Sequence, residues 1–398
     1  MARGHVVVVG AGIVGLATGR ALTRRGYRVT VVDKESDTAT HQTGNNSGVI
    51  HSGLYYAPGS LKATLAVEGS ASMRDFARDH GLPVDVCGKL VVATTAEQIP
   101  ALEALAERGA INGVPCRMVS AAEAREYEPA VRAVKALRVE STGIVDYRAV
   151  CTALRAEIVS AGGDVILGAE VIAIEGSVRV RCRTGGSESV VSADLLVNCA
   201  GLQSDRIARM AGVDPAVRIL PFRGEYFELA PQYRDLVRGL IYPVPDATLP
   251  FLGVHLTRMI DGEVHAGPNA VLALAREGYR WRDIVPRDVV DAMAWPGLWR
   301  LGKKYWRTGI EEVARSASSA RFLASLRELV PDLPSDSLVP THAGVRAQAI
   351  HRNGALVDDF YYELRPGQVH VLNAPSPAAT ASLGIAEHIA DRLEASSA

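Results

Sequence analysis

The stretch His5-Val6-Val7-Val8-Val9-Gly10-Ala11-Gly12-Ile13-Val14-Gly15 decides the fold. His5 to Val9 is a short, mainly β-branched run, which suits a strand buried on both faces. Gly10, Gly12 and Gly15 then fit the spacing G-x-G-x-x-G. The first glycine permits a tight turn. The second lets the backbone approach a pyrophosphate, and the third lets helix and strand pack closely. A helix-like stretch follows to about Arg25, and Gly26 ends it. Tyr27 to Val32 is a second buried strand, closed by Asp33, an acid placed to accept from ribose hydroxyls. Phosphates would rest on the free N–H groups of the helix N-terminus. The glycine spacing alone is weak. Flanked by strand and helix, and followed by an acid at the next strand end, it reads as a dinucleotide-binding β-α-β unit with a parallel sheet.

Two more elements belong with it. Asp194 to Asn198 is a buried strand running into Cys199-Ala200-Gly201. Val369 to Asn373 is another, followed by Ala374-Pro375-Ser376-Pro377 and a helix to about Leu393. The middle of the chain differs. Lys89 to Thr94, Phe222 to Leu229, Leu252 to Met259 and Glu263 to Gly267 alternate like strands exposed on one face. Asp261-Gly262 reads as a two-residue hairpin turn between the last two. The expected class is mixed α/β: a Rossmann-like FAD-binding domain with an inserted antiparallel-sheet substrate domain. The expected division is 1–80, 145–212 and 339–398 for the first, and 81–144 with 213–338 for the second.

FAD is preferred to NAD because only one fingerprint is present and the chain does not complete a six-stranded sheet soon after it. It enters Thr40–Tyr56 instead, rich in glycine, asparagine, serine and histidine. That stretch suits the wrapping of an extended cofactor; the plainer reading is a surface loop. The net charge of -1 over 398 residues gives no pull toward nucleic acid. Five scattered cysteines without a C-x-x-C suggest neither a disulfide framework nor a zinc site, and no metal is expected. Reduced thiols, no signal-like segment and no long apolar run point to a cytoplasmic protein.

At His41-Gln42-Thr43-Gly44-Asn45-Asn46-Ser47-Gly48-Val49-Ile50-His51-Ser52-Gly53-Leu54-Tyr55-Tyr56 the sequence resembles the L-2-hydroxyglutarate dehydrogenase/oxidase family, one of the D-amino-acid-oxidase-like FAD enzymes. The likeness continues at Pro58–Lys62, Pro221–Tyr226, Val254–Arg258, Gly267–Ala270, Ala343–Gln348 and Asn373–Thr380, so it spans nearly the whole chain. The resemblance implies non-covalent FAD and hydride transfer from substrate C2 to flavin N5, giving 2-oxoglutarate. It implies that Gly10, Gly12, Gly15, Asp33 and Lys34 hold the ADP half. Thr43, Asn46 and Ser47 would line the middle of FAD, and Ala200 and Gly201 the phosphates or ribityl. Gly344, Arg346 and Ser376 would approach the flavin ring, with a helix from near Pro377 turning its positive end to the pyrimidine. A related amine or amino-acid oxidase is the alternative.

Oxidising a secondary alcohol needs a base for the hydroxyl proton, and histidine suits it. His51 and His255 are the candidates, with His41 third. A dicarboxylate needs cationic anchors, for which arginine's fork is suited. Arg223, Arg258 and Arg346 are candidates, with Gln42, Tyr56 and Thr257 as polar neighbours. With a two-residue turn, Arg258 pairs across from His265, while His255 and Thr257 face the other way. Residues 279–307 hold all four tryptophans, interleaved with Arg280, Arg282, Arg300, Lys303, Lys304 and Arg307. Such interleaving fits peripheral docking on the inner membrane face, with reduced flavin passing electrons to a quinone; oxygen is the other acceptor the sequence allows. An amphipathic helix packed on the substrate domain is the competing reading.

Overall fold

The computed structural model describes residues 3–176, 178–245, 253–316 and 318–397. Leu252, expected to open a strand, lies outside them. Six strands form one sheet in the order Tyr361–Arg365, Gln368–Asn373, Leu195–Asn198, His5–Val9, Arg28–Val32, Asp164–Ile166. The first pair is antiparallel and the rest are parallel. Val6, Val7, Val8, Val29, Val31 and Val32 are fully buried, because helices Ile13–Arg24, Tyr147–Ser160 and Ser382–Ser397 cover one face and the small sheet 170–192 covers the other.

A nine-stranded sheet forms the second unit. Its central order is Val217–Leu229, Val264–Gly267, His255–Arg258, Leu240–Pro243, Lys89–Ala93 and Lys135–Val139. Leu338–His351 pairs with Val217–Leu229 along almost its whole length, so residues 339–351 belong to this sheet rather than to the nucleotide unit. The alternation in its central strands was read as one face in water, but those strands are covered on both faces. Leu90, Val92, Leu256, Val264 and Ala266 pack on Phe322, Leu323 and Leu326 of helix Ser319–Arg327. Their polar neighbours Lys89, His255, Thr257 and His265 are buried on the opposite face.

The hairpin is one residue longer than Asp261-Gly262 suggests. Met259 N–H bonds to Glu263 O and Gly262 N–H to Met259 O, closing a three-residue loop with Gly262 at φ +90°. The register slips by one. Arg258 faces Val264, and Thr257 faces His265, which therefore joins the His255 side. The C-terminal helix starts at Ser382, because Pro375–Ala381 is spent in turns.

Residues 279–307 are not one helix. A loop leads to Pro286–Met293 and then to Pro296–Ser316, which kinks at Tyr305. Trp295 is buried, donates to Ile350 O at 3.0 Å and lies between Arg218 and Arg352. It leaves the exposed cluster.

Arg276 ties the two units together. It donates to Asp205 and to Leu202 O on the nucleotide side, and to Asp291 at 2.8 Å in helix Pro286–Met293. Both Arg276 and Asp205 are sealed from water. Arg276→Met would leave the Asp205 carboxylate only the longer contacts to Arg209 at 3.7 Å and Arg218 at 4.0 Å, at a cost of about 1–3 kcal/mol. Urea unfolding should show a midpoint lowered accordingly; an unchanged midpoint would mean that the clamp is dispensable.

Candidate active site

A cavity of about 830 Å³ lies between the two units. Val9, Val32, Asp33, Cys199 and Ala374 line it, so it opens at the carboxyl ends of the parallel strands, where open α/β sheets bind ligands.

At one end the backbone is shaped for close approach. A Cβ on Gly15 would sit 1.9 Å from Gly10 O, and one on Gly10 would sit 2.4 Å from Cys199 O at φ +110°. No side chain fits either position. Gly12 is the N-cap of helix Ile13–Arg24 and supplies no side chain, so the helix's first N–H groups face the cavity region. Thr43 Oγ1 takes one of them, Ile13 N–H, at 3.1 Å. Asp33 accepts from Ala11 N–H at 2.6 Å and Glu35 N–H at 2.9 Å and keeps acceptor sites free. Asn46 braces the loop by donating to Thr43 O and accepting from Gly48 N–H. Gln42, Ser47, Ala200 and Gly201 line the wall. Lys34 bridges Glu35 and Glu277, and His41 bonds to Glu35 at 2.9 Å and Tyr279 at 3.2 Å. This places His41 at the nucleotide end, away from His51 and His255.

The other end holds His51, His255, Tyr56, Gly344, Arg346 and Ser376. His255 stacks on Tyr242 with ring centroids 4.0 Å apart. Its Nδ1 lies 2.9 Å from Gly253 O, which can only accept, so Nδ1 carries the proton and Nε2 has a free lone pair. His51 Nε2 lies 3.4 Å from Ser376 Oγ. Burial, with Lys89 and His255 nearby, holds His51 down at about 3. Burial chiefly, then Arg346 and Lys89, holds His255 at about 4, against a backbone hydrogen bond that raises it. Both imidazoles are neutral at pH 7 and able to accept a proton. Burial also lowers Arg346 and raises Tyr56.

Three expected residues do not reach the wall. Arg223 leaves its strand on the face away from Phe222 and Gly224, pairs with Glu225 at 2.9 Å and lies under Trp281. Arg258 sits half-buried near Gly262. Thr257 shares the face of His255 but is one pleat further along. Sequence reasoning does not single out Tyr55, Lys62, Tyr242 or Lys89. The first three line the cavity, and Lys89 stands against Tyr55 and Tyr242. The available signal for Lys89 was a lysine opening an otherwise apolar strand.

The family model described as FAD dependent oxidoreductase (DAO) matches residues 5–392. The chain is 46% identical over 385 residues to the L-2-hydroxyglutarate dehydrogenase of Indibacter alkaliphilus, covering 96% of each. It is 43% identical to that of Escherichia coli (strain K12), covering 98% of this chain and 92% of the relative. It is also 43% identical to the mitochondrial one of Homo sapiens, covering 98% and 88%.

The chain belongs to the FAD-dependent oxidoreductase family. FAD-bound L-alpha-glycerophosphate oxidase from Mycoplasma pneumoniae has the same fold, with a TM-score of 0.80 at 22% identity over 98% of this chain and 94% of that one. Glycine oxidase from Geobacillus kaustophilus follows at 0.72 and 20%, over 99% and 95%. The residues of this oxidoreductase fit FAD: the glycines at 10 and 15 allow no Cβ, the first helix turn is free of a side-chain cap from its own N-cap residue, and Asp33 has acceptor capacity at the ribose position. Gly15→Ala should therefore purify without the yellow flavin absorbance while the rest of the chain folds. Wild-type flavin content in that variant would refute the cradle.

Proposed function

We propose that the protein oxidises L-2-hydroxyglutarate to 2-oxoglutarate and that its electrons pass on to a quinone or to oxygen. The observation that carries this reading is the pairing of two neutral imidazoles with half-buried Arg346 at one end of the cavity. The names of relatives at 42–46% identity support the substrate.

Bound FAD supplies the acceptor for the two electrons that leave C2 with its hydrogen. The chain does the rest. Arg346 holds the C1 carboxylate. One imidazole takes the hydroxyl proton and the other fixes the hydroxyl. The Tyr56, Tyr226 and Tyr242 rings exclude water. The test is anaerobic: L-2-hydroxyglutarate, and not the D form, should bleach the flavin. Bleaching by an amine or a monocarboxylic hydroxy acid alone would overturn the substrate. His51→Asn and His255→Asn separate the two roles. Loss of the base should slow flavin reduction by about 10²–10⁴-fold while ligand binding still perturbs the flavin spectrum.

The base works only when unprotonated. Since folding holds both histidines low in the free protein, the second-order rate of flavin reduction at limiting substrate should not drop as pH falls just below neutral and should decline only as pH approaches about 4. An acid limb near the ordinary imidazole value of about 6.5 would contradict the assignment.

We also infer that segment 279–307 docks on an anionic membrane surface from the cytoplasmic side. No helix among the described residues is long and apolar enough to cross a membrane. Trp281, Trp299 and Trp306 are 53%, 63% and 56% exposed, alongside exposed Ile284 and Val290 and seven exposed Arg and Lys. Brominated anionic vesicles should quench these tryptophans at low salt and spare buried Trp295. No quenching would sink the docking reading.

A further inference from the structure

Lys89 is 1% exposed in the middle of a sheet. Its parallel neighbour sets Leu240 beside Lys89 and Tyr242 beside Val91, and the next strand sets Thr257 beside Leu240. Side chains alternate along each strand. Lys89, Tyr242, Thr257 and His255 therefore share one face, and Tyr242 and His255 of that face line the cavity.

The ammonium meets two ring faces there. Nζ lies 4.4 Å from the Tyr55 centroid and 4.8 Å from that of Tyr242. Among the described residues it has no carboxylate and no hydrogen-bond acceptor; burial alone pulls it down, to about 7. Three hydroxyls of this region, Tyr55 Oη, Tyr242 Oη and Thr257 Oγ1, are buried without a hydrogen bond of normal geometry, the last two interacting only with each other. Buried polar groups are normally paired, and a buried charge normally has a counter-ion. One cation and three donors left empty together, against a ligand cavity, call for an anion with several acceptor sites. A carboxylate has them.

The other cations of this end are committed elsewhere. Lys62 donates to Asp358 O at 2.8 Å and lies near Asp358 and Asp359. Arg346 stands on the far side of the site, on the strand Leu338–His351. Both Arg346 and Lys89 act on His255, so the imidazole lies within reach of two separate positive charges. A dicarboxylate with its reacting carbon at His255 would put one carboxylate toward each.

We propose that Lys89, framed by Tyr55 and Tyr242, is the subsite for the distal carboxylate of the substrate. It thereby separates 2-hydroxy dicarboxylates from 2-hydroxy monocarboxylates. This rests on the 2-hydroxy-dicarboxylate reading of the same cavity and names the group that enforces it.

The test compares L-2-hydroxyglutarate with L-2-hydroxypentanoate, whose distal end is uncharged, in the FAD-loaded wild type and Lys89→Met. The variant should raise KM for the dicarboxylate by about 100-fold, the usual size of one lost hydrogen bond to a charge, with kcat within a few-fold. KM for the monocarboxylate should not move, so the preference collapses. Glutarate and pentanoate, which cannot be oxidised at C2, give a second readout through flavin spectral titration. Glutarate should bind wild type at least tenfold tighter, and the gap should close in Lys89→Met. If that variant does not fold, Tyr55→Phe combined with Tyr242→Phe should narrow the same gap. An unchanged gap in whichever variant folds, or equal binding of the two acids by wild type, overturns the Lys89 assignment. A wild type that prefers glutarate yet is not reduced by L-2-hydroxyglutarate keeps the subsite and overturns the proposed reaction.

Discussion

The guanidinium of Arg276 is held between two units that have no strand in common. It binds Asp205 and the Leu202 carbonyl on one side and Asp291 on the other. The turn it grips, Gly201 to Ser204, borders the cavity. Buried ion pairs contribute little net stability compared with apolar replacements, but they penalise every arrangement that leaves one partner alone. Here the penalty fixes position. Only when Asp205 and Asp291 both reach Arg276 does the polar face of the nine-stranded sheet stand over the ends of the parallel strands. Arg206 and Arg218 share Asp291 and strengthen the same constraint.

That face explains a misreading built into the strand pattern. Alternating polar and apolar residues ordinarily mean one face in water. In Lys89–Ala93, His255–Arg258 and Val264–Gly267 both faces are covered, and the polar face carries Lys89, Thr257 and His265 in the interior with His255 at the cavity wall. The periodicity is the same in either case, because the pleat does not distinguish solvent from a polar pocket. The dry setting has consequences. It holds both histidines neutral, and it strengthens every charge interaction within the cavity.

What could be read from the chain follows from where the constraint lies. The fingerprint was legible because its cause is local and steric: at Gly15 a Cβ would strike the Gly10 carbonyl, so only glycine can stand there. The strands around it were legible because burial on both faces demands an unbroken apolar run. The hairpin register was not, since Gly262 serves a two-residue or a three-residue turn equally well. The fate of Arg223 was not legible either. Its partners Glu225 and Trp281 are set by alternation and by a distant loop. Lys89 escaped notice because strand lysines usually reach water, and only the tertiary fold shows that this one cannot.

Charge is mixed at the nucleotide end of the cavity, where Asp33, Glu35, Asp37 and Glu277 stand with Lys34, Arg206 and Arg287, and Lys34 is consumed by Glu35 and Glu277. Arg346, Lys62 and neighbouring Lys89 gather at the reacting end, with Asp358 beside Lys62. Such a cluster of cations draws a dianion to that end. It cannot by itself speed the reaction. In the proposed roles Arg346 and Lys89 meet carboxylates whose charge is the same in the bound substrate and in the transition state, which would be uniform binding and would not lower the barrier. Alcohol and ketone differ at C2 and at its oxygen, each of which loses a hydrogen. The differential must therefore come from the neutral imidazoles, which can accept a proton from the alcohol as the bond to hydrogen at C2 breaks and have nothing to accept from the ketone.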